Sequence, residues 1–136
     1  DYPLQANLGD QFALLGADVR REGESLHVAL FWQAMQPTAQ NYTVFVHLLA
    51  PDGGLVTQHD AAPQNGALPT SAWLEGEVVC DEHILQLPAV LAEGDYRIEV
   101  GLYLLESMER LPVADASGRE LGNSVVFGPI ALKGQG

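Results

Sequence analysis

Leu91-Ala92-Glu93-Gly94-Asp95-Tyr96-Arg97-Ile98-Glu99-Val100-Gly101-Leu102-Tyr103 is the stretch that decides the fold. From Tyr96 onward the apolar residues fall at alternate positions: Tyr96, Ile98, Val100, Leu102 and Leu104. Successive side chains of a strand point to opposite sides, so this alternation predicts a strand with one buried face. The leading Leu-x-x-Gly-x-Tyr has the form of a tyrosine corner. A Tyr placed there, early in a central strand, hydrogen-bonds back to the connection before it.

Working outward, the same period recurs. Ser25 to Ala34 puts Leu26, Val28, Leu30 and Trp32 on one side, and Tyr42 to Leu49 does the same with Val44, Val46 and Leu48. Pro51-Asp52-Gly53-Gly54 is a hairpin signal, because glycine takes positive φ without steric penalty. Further strands are predicted over Phe12 to Val19, Leu55 to His59, Val78 to Leu87, Arg110 to Val113 and Val125 to Leu132. Residues 1 to 9 read as a lead-in. Pro129 implies an edge position or a bulge. Ala61 to Glu77, broken by Pro63, Gly66, Pro69 and Gly76, is the one long irregular stretch, of the length at which a loop is functional or tied down. No apolar period of 3.6 residues persists for three turns. The expectation is a single all-β domain over residues 1–136, an antiparallel β-sandwich of about eight strands, Ig-like or jelly-roll-like. Strand periods do not encode connectivity, so both topologies stay open.

Composition narrows the partners. Eighteen acidic residues against six basic give a net charge of −12. Such a surface repels phosphate backbones and anionic headgroups, which excludes nucleic acid and disfavours membrane surfaces. No run of about 18 apolar residues occurs, so direct membrane insertion of this stretch is not expected. The abrupt Asp1-Tyr2-Pro3 start reads as a piece cut from something longer. The single cysteine, Cys80, excludes an internal disulfide. Its place in a strand's alternation predicts a buried, inert thiol.

No catalytic motif is present, and the chain is expected not to be an enzyme. The four histidines, His27, His47, His59 and His83, lie on predicted strands, with Asp81 sharing a face with His83. No His-x-His or His-x-x-x-His spacing gathers them, so no transition-metal site is expected. Glu75, Glu77, Asp81 and Glu82 cluster in sequence, but neighbours on one strand do not oppose each other across a cleft as glycosidase carboxylates must. No cofactor is expected. Calcium, a hard cation, would suit Asp52, Asp60, Asp115 and Glu120 in or beside turns, where Asp-Gly and Asp-x-Ser-Gly also serve plain turn chemistry.

The aromatics carry the binding expectation. Sugars stack on Trp or Tyr faces while amide and carboxylate groups bond their hydroxyls, as in carbohydrate-binding-module-like sandwiches. Trp73 in the long loop is the leading stacking platform, with Tyr103, Asn65 and Asp81 as further candidates and Gln64 nearby. Phe31, Phe45 and Tyr103 lie opposite the stricter apolar rows and would make an exposed patch. Trp32 continues the row of Leu26, Val28 and Leu30 and belongs to the core.

Several phrases together resemble a known family. They are Tyr42-Thr43-Val44-Phe45-Val46-His47-Leu48-Leu49, Asp52-Gly53, Pro69-Thr70-Ser71-x-Trp73, Gly76-Glu77-Val78-Val79-x-Asp81, and Gly94-x-Tyr96-Arg97-x-Glu99-Val100-Gly101-Leu102-Tyr103. They are similar to soluble C-terminal β-sandwich domains of bacterial, Chloroflexi-type membrane glycosyltransferases of the protein-mannosyltransferase-like class. The resemblance implies an extracytoplasmic accessory domain whose parent keeps its catalytic machinery elsewhere, and it carries over no catalytic residue. Where the family has an Asp-x-x-Thr-Gly hairpin, this chain has Leu105-Glu106-Ser107-Met108-Glu109-Arg110, so the tip there is altered. The reading is a non-catalytic module that binds carbohydrate. The alternative is a structural, protein-docking module that meets the parent's membrane domain.

Overall fold

The computed structural model describes residues 2–134. Ten antiparallel strands form two sheets: β1 (Tyr2–Leu8), β2 (Phe12–Glu22), β3 (Ser25–Ala34), β4 (Thr43–Leu49), β5 (Leu55–Ala61), β6 (Val78–Gln86), β7 (Gly94–Tyr103), β8 (Val113–Ala114), β9 (Glu120–Gly122) and β10 (Val125–Leu132). One sheet runs β6-β3-β2-β1-β8-β9 and the other β10-β7-β4-β5. The sandwich expected from the alternation is therefore present. The strand expected over Arg110 to Val113 shrinks to β8 at Val113–Ala114, with Arg110 making only an isolated bridge to Tyr103, and the three residues of β9 are too few to leave a period in the sequence.

The central strand behaves as its pattern demands. Tyr96, Ile98, Val100 and Leu102 of β7 face inward against Leu26, Val28, Leu30 and Trp32 of β3 in one continuous core. The Tyr96 hydroxyl donates to the Ala92 carbonyl at 2.6 Å, closing the tyrosine corner. Trp32 is fully buried as expected, and its indole N–H finds no partner among the described residues, a desolvation cost of about 1–3 kcal/mol. The Pro51–Gly54 hairpin joins β4 to β5, with Gly53 at φ 92° and the Asp52 carboxylate accepting the Gly54 N–H at 2.9 Å.

The lead-in is a correction. Residues 2–8 form β1, paired with β2 and β8. Pro3 and a register shift between Pro3 and Ala6, with Gln5 at φ 59°, break the alternation and hide the strand. Pro129 sits both on an edge strand and in a bulge: β10 borders its sheet, and its register shifts between Phe127 and Ile130.

Because β5 ends one sheet and β6 ends the other, these two edges lie together on one side of the sandwich. The irregular stretch between them covers that side with two short 3-10 turns, Pro63–Gly66 and Thr70–Ala72. It is tied down. Thr70 Oγ1 accepts the Tyr42 N–H at 3.0 Å and donates to the Gln40 carbonyl at 2.7 Å.

Candidate functional site

Three of the four sequence candidates are inside the protein. Trp73 is 3% exposed, its indole edge-on to Phe12 with ring centroids 5.5 Å apart and its Nε1–H donating to the Leu68 carbonyl. It plugs one end of the sandwich and presents no open face to a sugar. Tyr103 is 7% exposed, and its hydroxyl donates to Asp60 Oδ2 at 3.0 Å. Burial and that hydrogen bond both raise its pKa. Asp81 is fully buried, and Asn65 alone is exposed. The structure does not bring the four together as one surface.

The expected aromatic patch is also divided. Phe31 is on β3 and faces out of the six-stranded sheet, whereas Phe45 and Tyr103 face out of the other. Phe45 is buried where it stands, because its ring lies over Gly101 and under the Arg110 guanidinium, 4.2 Å from the ring centroid. Beside it, His47 Nδ1 lies 3.4 Å from Glu99 Oε1 and its Nε2 lies 3.9 Å from Asp60 Oδ1. His27 and His47 are on strands of different sheets and are not neighbours.

Cys80 is exposed, a second correction. In β6 the residues facing inward are Val79, Asp81, His83 and Leu85, while Val78, Cys80, Glu82 and Ile84 face solvent. Apolar residues divide evenly between the two parities once Leu87 is included, so the alternation alone could not choose. The carboxylates of Asp81 and Glu82 consequently point to opposite sides, which removes the glycosidase arrangement.

That parity builds a buried polar chain. His83 is 1% exposed, and its Nε2 lies 2.6 Å from Asp81 Oδ2. Its Nδ1 lies 2.9 Å from Nδ1 of His59, which reaches across from β5. The other Asp81 oxygen accepts the Gln64 N–H at 2.6 Å, and the Gln64 side chain donates to the Cys80 carbonyl at 2.8 Å. Gln64 and Asn65 both hold φ of 54°, a left-handed conformation costing about 1–3 kcal/mol per non-glycine residue. Burial pushes the His59 pKa below its ordinary value and a charge on His83 pushes the same way, while Asp60 and Asp81 pull it back. A pocket of about 480 Å³ adjoins the chain, lined by His59, Gln64, Asn65, Cys80, Glu82 and Ile84. Sequence reasoning paired Asp81 with His83 but missed His59, because the contact crosses between sheets.

A cleft of about 760 Å³ lies at an end of the sandwich, between residues 39–43 and 104–109. It is lined by the amides of Gln40 and Asn41, the hydroxyls of Thr43 and Ser107 and the carboxylates of Glu106 and Glu109, beside Leu104 and Leu105. The 104–109 connection is compact, with the Met108 N–H donating to the Leu104 carbonyl and the Leu104 N–H to the Glu109 carbonyl. The 104–109 connection thus lines a cleft, which the sequence did not reveal.

Among the described residues no group of three or more His, Cys, Asp or Glu side chains could hold a metal ion. At the turns expected to suit calcium, Asp115 Oδ1 accepts from the Ser117 hydroxyl and from the N–H groups of Ser117 and Arg119. The hydrogen bonds from Ser117 and Arg119 lower the Asp115 pKa. No helix is long and apolar enough to cross a membrane among the described residues. The chain matches no protein-family model and no curated protein.

Proposed function

We propose that the chain is a non-catalytic accessory β-sandwich of a membrane glycosyltransferase-like protein, working on the extracytoplasmic side and holding carbohydrate in the end cleft. The resemblance of its core and turn phrases to such domains supports the first half. The observation that carries the second is the cleft itself. Its volume lies in the range of roughly 300–1,000 Å³ usual for ligand sites. Its amides, hydroxyls and carboxylates are the groups that bond sugar hydroxyls, and Leu104 and Leu105 supply an apolar contact. Glu106 and Glu109, with no Lys or Arg in the lining, favour neutral glycans over phosphorylated or uronic ones.

Calorimetric titration with neutral and acidic oligosaccharides tests this reading. Saturable heat with a neutral glycan, weakened at least tenfold in the Leu105→Ala/Glu106→Ala double variant, supports it. Both residues are exposed, so the fold should survive the change. Absence of saturable heat with every sugar would sink it. The second reading, docking on the parent's membrane domain, is favoured by Val78 and Ile84 standing half-exposed on the outer face of the six-stranded sheet. Capture of the parent's membrane portion, lost in Val78→Asp/Ile84→Asp, would support that reading.

A further inference from the structure

The Asp81–His83–His59 chain is not used by the proposed sugar site, and it ends at a different pocket. Asp81 is fully buried; one carboxylate oxygen accepts the Gln64 N–H and the other faces His83 Nε2. With both rings neutral, the order of protons follows. His83 donates from Nε2 to the carboxylate, so its Nδ1 keeps a lone pair and accepts the Nδ1–H of His59 at 2.9 Å. The lone pair of His59 is thereby set on Nε2. That atom has no hydrogen-bond partner among the described residues, where Trp32 Nε1 is the one buried side-chain atom left without one, so His59 Nε2 opens to solvent. The pocket of about 480 Å³ lies there, with His59 in its wall.

What the pocket offers a ligand is a set of acceptors. Beside His59 stand the Glu82 carboxylate, whose Oε1 lies 3.4 Å from His27 Nδ1, and the exposed side-chain amide of Asn65. No Lys or Arg lines the pocket, and Ile84 supplies an apolar wall. Asp60 and Asp81 add negative potential at the His59 ring. Cys80 stays a neutral thiol, because burial first and the carboxylates of Glu82, Asp81 and Asp18 next hold its pKa up. No three of these groups are arranged to hold a metal ion among the described residues, so the negative charge fits an organic cation.

We infer that this pocket binds the primary ammonium group of a small amine, which donates to His59 Nε2, to Glu82 and to the Asn65 side-chain carbonyl while its carbon skeleton rests on Ile84. An ammonium carries three N–H donors and one positive charge, and it meets here three acceptors, one of them a carboxylate. Asp81 and His83 touch no ligand; they are positioning residues that fix the His59 tautomer. Gln64 ties the 63–66 turn to β6 through the Cys80 carbonyl at 2.8 Å, which keeps Asn65 beside the pocket.

Imidazole nitrogen NMR at pH 7 tests the site on the chain as it stands, with butylamine and glucosamine as probes and glucose and N-acetylglucosamine as neutral controls. In the free protein His59 Nε2 should carry no proton. Its resonance should shift saturably with the amines and stay unmoved with the neutral sugars, even where those fill the end cleft. The readout is confined to this pocket, so it stands or falls apart from the sugar reading. A shift with both amines supports a site for the ammonium alone; a shift with glucosamine only supports one that also reads the sugar ring. Glu82→Gln, a change at an exposed residue that keeps the side chain's shape, should weaken amine binding at least tenfold. A proton on His59 Nε2 in the free protein would overturn the inference. So would an unmoved resonance with both amines, an equal shift with glucose, or undiminished amine binding in Glu82→Gln.

Discussion

The Tyr96 hydroxyl, 2.6 Å from the Ala92 carbonyl, and the Gly101 backbone beneath Phe45 are two places where single atoms matter. Tyr96→Phe removes one half-buried hydrogen bond to the exposed Ala92, so chemical denaturation should show a loss of about 1 kcal/mol. Gly101→Ala would place a methyl inside the Phe45 ring, which is held from the other side by Arg110. Overpacking of that kind costs about 1–3 kcal/mol, and the same denaturation experiment should show it. A negligible effect would mean that the Phe45 ring moves freely. Trp73→Ala empties the plugged end and is expected to cost about 3–5 kcal/mol. Under the proposed cleft it should leave sugar contacts at Leu105 and Glu106 in place, provided the experiment is run below the variant's melting temperature.

At the scale of elements, strand β6 is the decisive case. Its inward parity carries Asp81 and His83, while its outward parity carries Cys80. A small thiol reagent should therefore label Cys80 stoichiometrically in the native protein without denaturant. The labelling should quicken as pH rises, because burial first and the carboxylates of Glu82, Asp81 and Asp18 next hold the thiol pKa up. Labelling only after unfolding would reverse the assigned parity and with it the histidine chain. The β7 strand is legible in the sequence because one parity is wholly apolar and the other carries Asp95, Arg97 and Glu99. In β6 and the following Leu87 the apolar residues divide evenly, and burial of a paired aspartate and histidine settled the orientation by hydrogen bonding rather than hydrophobicity.

For the whole molecule, pH acts through His59. Its folded pKa lies below the unfolded one, so the unfolded chain binds more protons as the solution is acidified. The stability it contributes is complete above the ordinary histidine value of 6.5 and is lost as pH falls through the lower folded value. At constant ionic strength the melting temperature should fall over that window, and the fall should be shallower in His59→Phe. A net charge of −12 acts separately. At pH 7.5, salt added from low ionic strength should raise the melting temperature by screening self-repulsion, and a flat response would show that the carboxylates are already compensated.

The sequence by itself determined the class of fold, the tyrosine corner, the β4–β5 hairpin, the core place of Trp32 and the choice of an edge or a bulge at Pro129. Each rests on contacts along one strand or across one turn, and a period of two or a glycine at a turn records such contacts directly. Only the tertiary structure decided that residues 2–8 pair as a strand, that Trp73 and Tyr103 turn inward, and that His59 meets His83. Those outcomes depend on which strands form the edges of which sheet. Two side chains 24 residues apart become hydrogen-bonded neighbours only when β5 and β6 close the same side of the sandwich, and no local pattern encodes that meeting.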